Sequence, residues 1–261
     1  MGISAILPEA ALPLSPDVVF AGCVFLLAGF VKGTIGLGLP TVSVGLLGLV
    51  MSPIAAASLL VLPNFVTNVW QLAAGPALRG LLARLAPLMV GIAVGTLAGA
   101  PLMSNHDSGW STFGLGAALI LYATIGLTGI ELAVPRVRER SLSLLVGLAT
   151  GVITTVTGVF VVPAVPYLQA LSLDKDELIQ ALGLSFLVST VALALVLAGT
   201  GLFQANVAGG SLLAVVPALV GMYVGSRVRA SISPRLFKLS FFLGLLALGA
   251  HLAIRSHSAA V

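Results

Sequence analysis

Asn64, Asn68 and Gln71 sit at i, i+4 and i+7, so a helix would carry all three on one face. Ser185 and Ser189 repeat the i, i+4 spacing, with Gln180 and Thr190 close by. Both sets fall inside long apolar runs, where polar side chains are costly unless they meet partners, water or a ligand. Two further segments are rich in small and hydroxyl residues. One is "VKGTIGLGLP", with Gly33, Gly36 and Gly38; the other is "TGVITTVTGVFVVP", with Thr154, Thr155, Thr157 and Gly158. Glycine lets a ligand approach the backbone closely. Free N–H groups at a helix start favour an anion, and the threonines add hydroxyl donors. Lys32 stands at the first segment, either as a cation on an anion path or as a snorkelling residue at the end of a span. The chemistry on offer is donor-rich binding of a small anion.

Other chemistries find no footing. No carboxylate lies in mid-span. Glu131, Asp174, Asp176 and Glu177 stand at segment edges, where Asp176 and Glu177 suit the start of a helix. A proton-coupled carrier usually places a titratable group in its path. The sequence has no GxxxxGK[ST] phosphate loop. His106, His251 and His257 lie in or near loops and the tail without metal-ligand spacing, and the single Cys23 cannot form an intramolecular disulfide. No catalytic residue, metal or cofactor is therefore expected.

The elements that must hold these residues are membrane helices. Of 261 residues, 59% are hydrophobic and only 8% charged, and mean hydropathy is +1.17. A soluble domain has about 45–50% apolar and about 25% charged residues, so this chain cannot cover a globule with polar surface. Runs such as "AALILYATIGLTGI" show no period of two, which argues against a β-barrel. Residues 1–16 hold Glu9 but no Lys or Arg, so no cleavable signal peptide is expected. The net charge of +4 comes from basic residues clustered at segment ends, as in cytoplasmic loops, and does not call for nucleic acid. Apolar stretches cover roughly 17–32, 41–51, 54–74, 85–103, 112–130, 142–171, 178–199, 207–226 and 236–254. Glycine, threonine and proline interrupt 17–51 and 142–171.

The two halves match. "PLMVGIAVGT" at 87–96 answers "PALVGMYVGS" at 217–226, and "AGFVKG" at 28–33 answers "VGLATG" at 146–151. "LPNFVTNV" at 62–69 answers "LSFLVSTV" at 184–191, with Asn64 and Asn68 met, one place out of step, by Ser185 and Ser189. Charge sets the orientation. Arg79 and Arg84 precede the 85–103 helix, whereas Arg227, Arg229, Arg235 and Lys238 follow its counterpart at 207–226. The two repeats, 1–135 and 136–261, are thus expected to be inverted, with the "RVRER" loop at 136–140 inside and both termini outside. Each interrupted region spans about 30–35 residues, too few for two crossings of about 20 residues. Each is read as a helical hairpin, re-entrant or built of short tilted arms, joined to three transmembrane helices. Such repeats place the substrate at their interface near the midplane, between the two hairpin tips.

At its glycine tips the chain resembles the TauE/SafE sulfite-exporter family: "AGFVKGTIGLGLP" in the first half, "TGVFVVP" and "ELIQALGLSFLVST" in the second. The family pattern carries consecutive glycines after the first GxG; here Leu39 and Pro40 stand there, and Thr154 and Thr155 replace glycine in the second tip. The resemblance implies an all-α, multi-pass protein of the bacterial inner membrane that exports a small sulfur-containing anion, sulfite or an organosulfonate. The residues expected to bind it are Lys32, Gly33, Gly36, Gly38, Asn64, Asn68, Gln71, Thr154, Thr155, Thr157, Gly158, Gln180, Ser185, Ser189 and Thr190. The alternatives are a passive anion channel, which needs a continuous polar path, and a non-transporting membrane scaffold. The expected partners are the anion and the bilayer; the coupling ion, proton or sodium, and the oligomeric state stay open.

Overall fold

The structure, a computed structural model, describes residues 16–104, 108–129, 133–202, 205–229, 231 and 233–258. Glu9, His106, Glu131, the side chain of His257 and the two termini lie outside the described residues. Everything regular among those described is helical. Eight helices are long and apolar enough to cross a membrane: α1 (Pro16–Ile35), α3 (Pro53–Ala73), α4 (Leu78–Ala98), α6 (Ser108–Thr128), α7 (Arg136–Thr157), α9 (Lys175–Gly199), α10 (Ala205–Val228) and α11 (Pro234–Ser258). Three short ones lie between them: α2 (Leu39–Leu47), α5 (Ala100–Ser104) and α8 (Ala164–Gln169). Large apolar side chains such as Leu195, Leu212 and Val216 face outward, while Asn64, Asn68 and Gln180 are fully buried. That arrangement suits a hydrocarbon solvent.

Local chemistry sets the breaks. α1 ends where Gly36 (φ 81°) and Gly38 (φ 110°) turn the chain through conformations that side chains resist. Pro40 then falls in the first turn of α2, where a missing N–H costs nothing. α7 stops at Gly158 (φ 71°), whose N–H bonds to the Thr154 carbonyl at 2.8 Å. α3 starts with Ser52 accepting the Ala55 N–H, followed by Pro53. α9 starts at Asp174, whose N–H donates to the Glu177 carboxylate at 3.3 Å. The acidic run thus serves the helix start, as read from the sequence.

Two sequence expectations change. Each interrupted region is a broken helical hairpin, as expected, but of its two expected forms, re-entrant or built of short tilted arms, the second does not hold. α1 and α7, at 20 and 22 residues, are each long enough to cross alone; α2 and α8, at 9 and 6, return only part-way. "RVRER" is not a loop but the opening of α7, started by Pro135 and held by an ion pair from Glu139 to Arg84. The first region begins and ends as a hairpin should: the N-terminal portions of α1 and α3 border the same cavity, so both helices start on one side.

The sequence-matched glycines are contact residues. A Cβ added to Gly29 or Gly33 would lie 2.1 or 2.2 Å from the Ala218 or Met222 carbonyl oxygen of α10, and one on Gly221 or Gly225 would lie 2.0 or 2.2 Å from that of Leu26 or Phe30. The α4–α7 pair has the same build: Gly147 and Gly151 meet Leu88 and Ile92, and Gly91 and Gly95 meet Leu144 and Leu148. Small residues let these backbones approach to near contact. Each of these pairs runs parallel. α3 and α9 instead run antiparallel, with Asn64 beside Thr190 and Gln71 beside Gly183. α6 and α11 also run antiparallel, through Gly116 beside Gly249 and Gly126 against Phe242.

Candidate functional site

The α3–α9 crossing carries the buried polar residues. The Asn64 amide donates to the Thr190 hydroxyl at 2.6 Å, and Thr190 donates to the Phe186 carbonyl at 2.6 Å. The Asn68 side-chain oxygen accepts from the Lys32 ammonium of α1. Ser189 donates to the Ser185 carbonyl at 3.0 Å. Three polar atoms here are buried with no hydrogen-bond partner: Asn64 Oδ1, Asn68 Nδ2 and Ser185 Oγ. The antiparallel register sets Ser185 at the level of Asn68. Buried polar atoms without partners are uncommon and call for an explanation. A charged ligand that uses them is one.

Lys32 is only 2% exposed and turns inward to Asn68, so it is not a snorkelling residue. Among the described residues no carboxylate pairs with it. An ammonium held away from water without a counter-charge is costly. An anion beside it would relieve that cost.

Other residues expected at the site have structural work. Gln180 donates to the Leu72 and Gly75 carbonyls at 2.7 and 2.8 Å and accepts the Ala77 N–H at 2.8 Å, splicing α9 to the end of α3. Gln71 donates to the Gly36 and Ile179 carbonyls at 3.0 and 2.6 Å, fixing the first tip to α9, while its side-chain oxygen is buried and unpartnered. Thr155 donates to the Thr96 and Gly151 carbonyls at 2.9 and 3.0 Å. Thr157 donates to the Ile153 carbonyl at 2.7 Å, and Thr154 to that of Val159 at 3.3 Å. A hydroxyl has one proton, and each of these is turned to a backbone carbonyl, of the second tip itself or, for Thr155, also of Thr96 on α4. Gly33 serves close packing against α10.

The tips themselves do not meet. Gly36 lies beside Gln71 and Ile179, whereas Gly158 lies beside Ala57 and the Pro53 carbonyl. Ala57 and Gln71 are 14 residues apart on α3, about 21 Å at 1.5 Å per residue. The first tip, with Gly36 and Gly38, and the second, with Gly158, therefore bracket the polar cluster from opposite ends rather than build it. The reason is the unequal arms: each long arm carries its tip nearly across the bundle.

Sequence reasoning missed a second polar network. Arg84 grips Glu139 with two bonds of 2.6 and 2.9 Å and also donates to the Leu171 carbonyl at 3.2 Å. The Tyr167 hydroxyl lies 2.8 Å from both the Glu139 carbonyl and the Ser143 hydroxyl. Arg84 and "RVRER" were read only for charge, and nothing in their spacing announces a pair. Among the described residues no group of three His, Cys, Asp or Glu side chains suits a metal.

The family described as Sulfite exporter TauE/SafE matches residues 21–252. The chain belongs to this family. The match takes in every helix that carries the polar cluster, and TauE/SafE proteins are membrane transporters. Among curated proteins and solved structures, no match was found. Leu39 and Pro40, which depart from the TauE/SafE glycine pattern, form the first turn of α2.

Proposed function

We propose that this TauE/SafE protein exports a small sulfur-containing anion, sulfite or an organosulfonate, across the bacterial cytoplasmic membrane by alternating access. The anion binds between α1, α3 and α9, against Lys32, Asn68, Ser185 and Asn64. The observation that carries this reading is Lys32: a buried lysine with, among the described residues, no carboxylate partner, bonded to an asparagine whose amide N–H₂ group is unpartnered. Family membership supplies the substrate class. The two halves act as inverted repeats, with the Arg84 side facing the cytoplasm and both termini outside. The matched glycine contacts and the antiparallel α3–α9 and α6–α11 pairs support that arrangement.

The test is a melting-temperature screen of detergent-solubilised protein against sulfite, short organosulfonates, sulfate and chloride, since a ligand that binds the folded state stabilises it. Sulfite or an organosulfonate should raise the melting temperature of the parent and leave Lys32→Met unchanged. Equal shifts in both proteins would remove Lys32 from the site.

A further inference from the structure

The Arg84–Glu139 pair has a counterpart position on the opposite side of the bundle. Arg84 lies three residues before Pro87, and Ala214 lies three before Pro217, the prolines that open the matched segments at 87–96 and 217–226. Glu139 lies eight residues before Gly147, and Ala21 lies eight before Gly29. The matched glycines make equivalent helix contacts, so the pairs 84/139 and 214/21 occupy equivalent places in their helix pairs, α4–α7 and α10–α1. At one place stands a two-bonded ion pair; at the other stand two alanines. Ala21 and Ala214 both line a cavity of about 270 Å³ between the N-terminal portions of α1, α3 and α10. Where the ion pair fills one face, the other face is hollow.

We propose that Arg84–Glu139 is the closed gate of one access route, and that the Ala21–Ala214 cavity is the matching route on the other face, standing open. This rests on the transporter reading. Alternating access requires that one route close when the other opens. The pair ties the second turn of α4 to the first turn of α7. Through the Leu171 carbonyl and Tyr167 it also ties in the short helix α8 and the segment after it. Its side chains are 35% and 12% exposed. An ion pair at such a surface holds its helices without being strong, which suits a contact that breaks in every cycle. Among the described residues no ion pair stands on the alanine side; there Ser211 of α10 donates to the Leu59 carbonyl of α3 at 2.8 Å and accepts the Leu62 N–H at 3.0 Å.

Cysteine labelling in detergent tests this without any substrate. In a Cys23→Ser background, Ala214→Cys reports on the cavity. Ala181→Cys reports on the gated side, because Ala181 is fully buried and lies three residues before Leu184, as the cavity-lining Leu59 lies three before Leu62. With the pair intact, a polar maleimide should label Ala214→Cys quickly and Ala181→Cys slowly. Arg84→Ala or Glu139→Gln should speed labelling of Ala181→Cys by about tenfold and slow that of Ala214→Cys, a population shift between two states. The charge swap, Arg84→Glu with Glu139→Arg, should restore the first pattern. Labelling of Ala181→Cys that changes less than about twofold in both single variants overturns the gate. So does loss of the folded protein in both, which would assign the pair to stability alone. If no anion stabilises the protein but the labelling pattern exchanges as stated, the gate stands and the anion assignment falls.

Discussion

Asn68→Asp is the sharpest perturbation of the site, because it changes charge without changing shape. Asn68 already accepts a hydrogen bond from Lys32. A carboxylate in its place gives the ammonium a counter-charge, which offsets the cost of burying it unpaired. The ligand-free variant should therefore melt at or above the parent temperature. An anion in contact with Lys32 would sit roughly 5 Å from the new carboxylate. At an effective dielectric of about 20, two like charges at that distance repel by about 3 kcal/mol. Since about 1.4 kcal/mol is a factor of ten, affinity for sulfite should fall by roughly a hundredfold or more. Titration by calorimetry in detergent, alongside melting curves, measures both quantities. A stable Asn68→Asp variant that binds sulfite within about tenfold of the parent would refute the reasoning, because the anion would then not be using Lys32.

Three further outcomes separate binding from scaffolding. Ser185→Ala should weaken anion binding by about tenfold, the lower end for a hydrogen bond to a charged group, whereas Ser189→Ala should leave titrations near parent values, because Ser189 already donates to the Ser185 carbonyl. Gln180→Leu removes three bonds to the end of α3 and the turn that leads into α4; the melting temperature should drop while calorimetry still detects the anion. Gly221→Ala sets a Cβ 2.0 Å from the Leu26 carbonyl oxygen and should prevent folded protein from being recovered by size-exclusion chromatography, whereas Gly80→Ala, with nothing within 4 Å, should raise stability by about 0.5–1 kcal/mol.

Much of the fold is legible in the sequence because it rests on local chemistry. Glycines with positive φ mark the two tips, and Pro-xxx-Gly-xxx-Gly marks two of the close helix contacts. The Asn64–Asn68 face was visible as spacing, and it is buried against α9. What stayed hidden depends on partners distant in the chain. Thr154, Thr155 and Thr157 look like free donors until their carbonyl acceptors are placed beside them. Gln180 looks like Gln71's equal until Gly75 and Ala77 fold onto it. Arg84 and Glu139, 55 residues apart, read as topological charge until α4 and α7 pack. The unequal arms were hidden because an apolar run records where a helix is permitted, not how far it travels.

The claim that an anion is carried on Lys32 between alternating routes is tested most directly by counterflow in proteoliposomes. Vesicles loaded with unlabelled sulfite should take up labelled sulfite transiently above equilibrium, with saturation, and Lys32→Met should abolish the overshoot while remaining inserted. Uptake that rises linearly with concentration without an overshoot, or an overshoot that survives in Lys32→Met, would contradict the account.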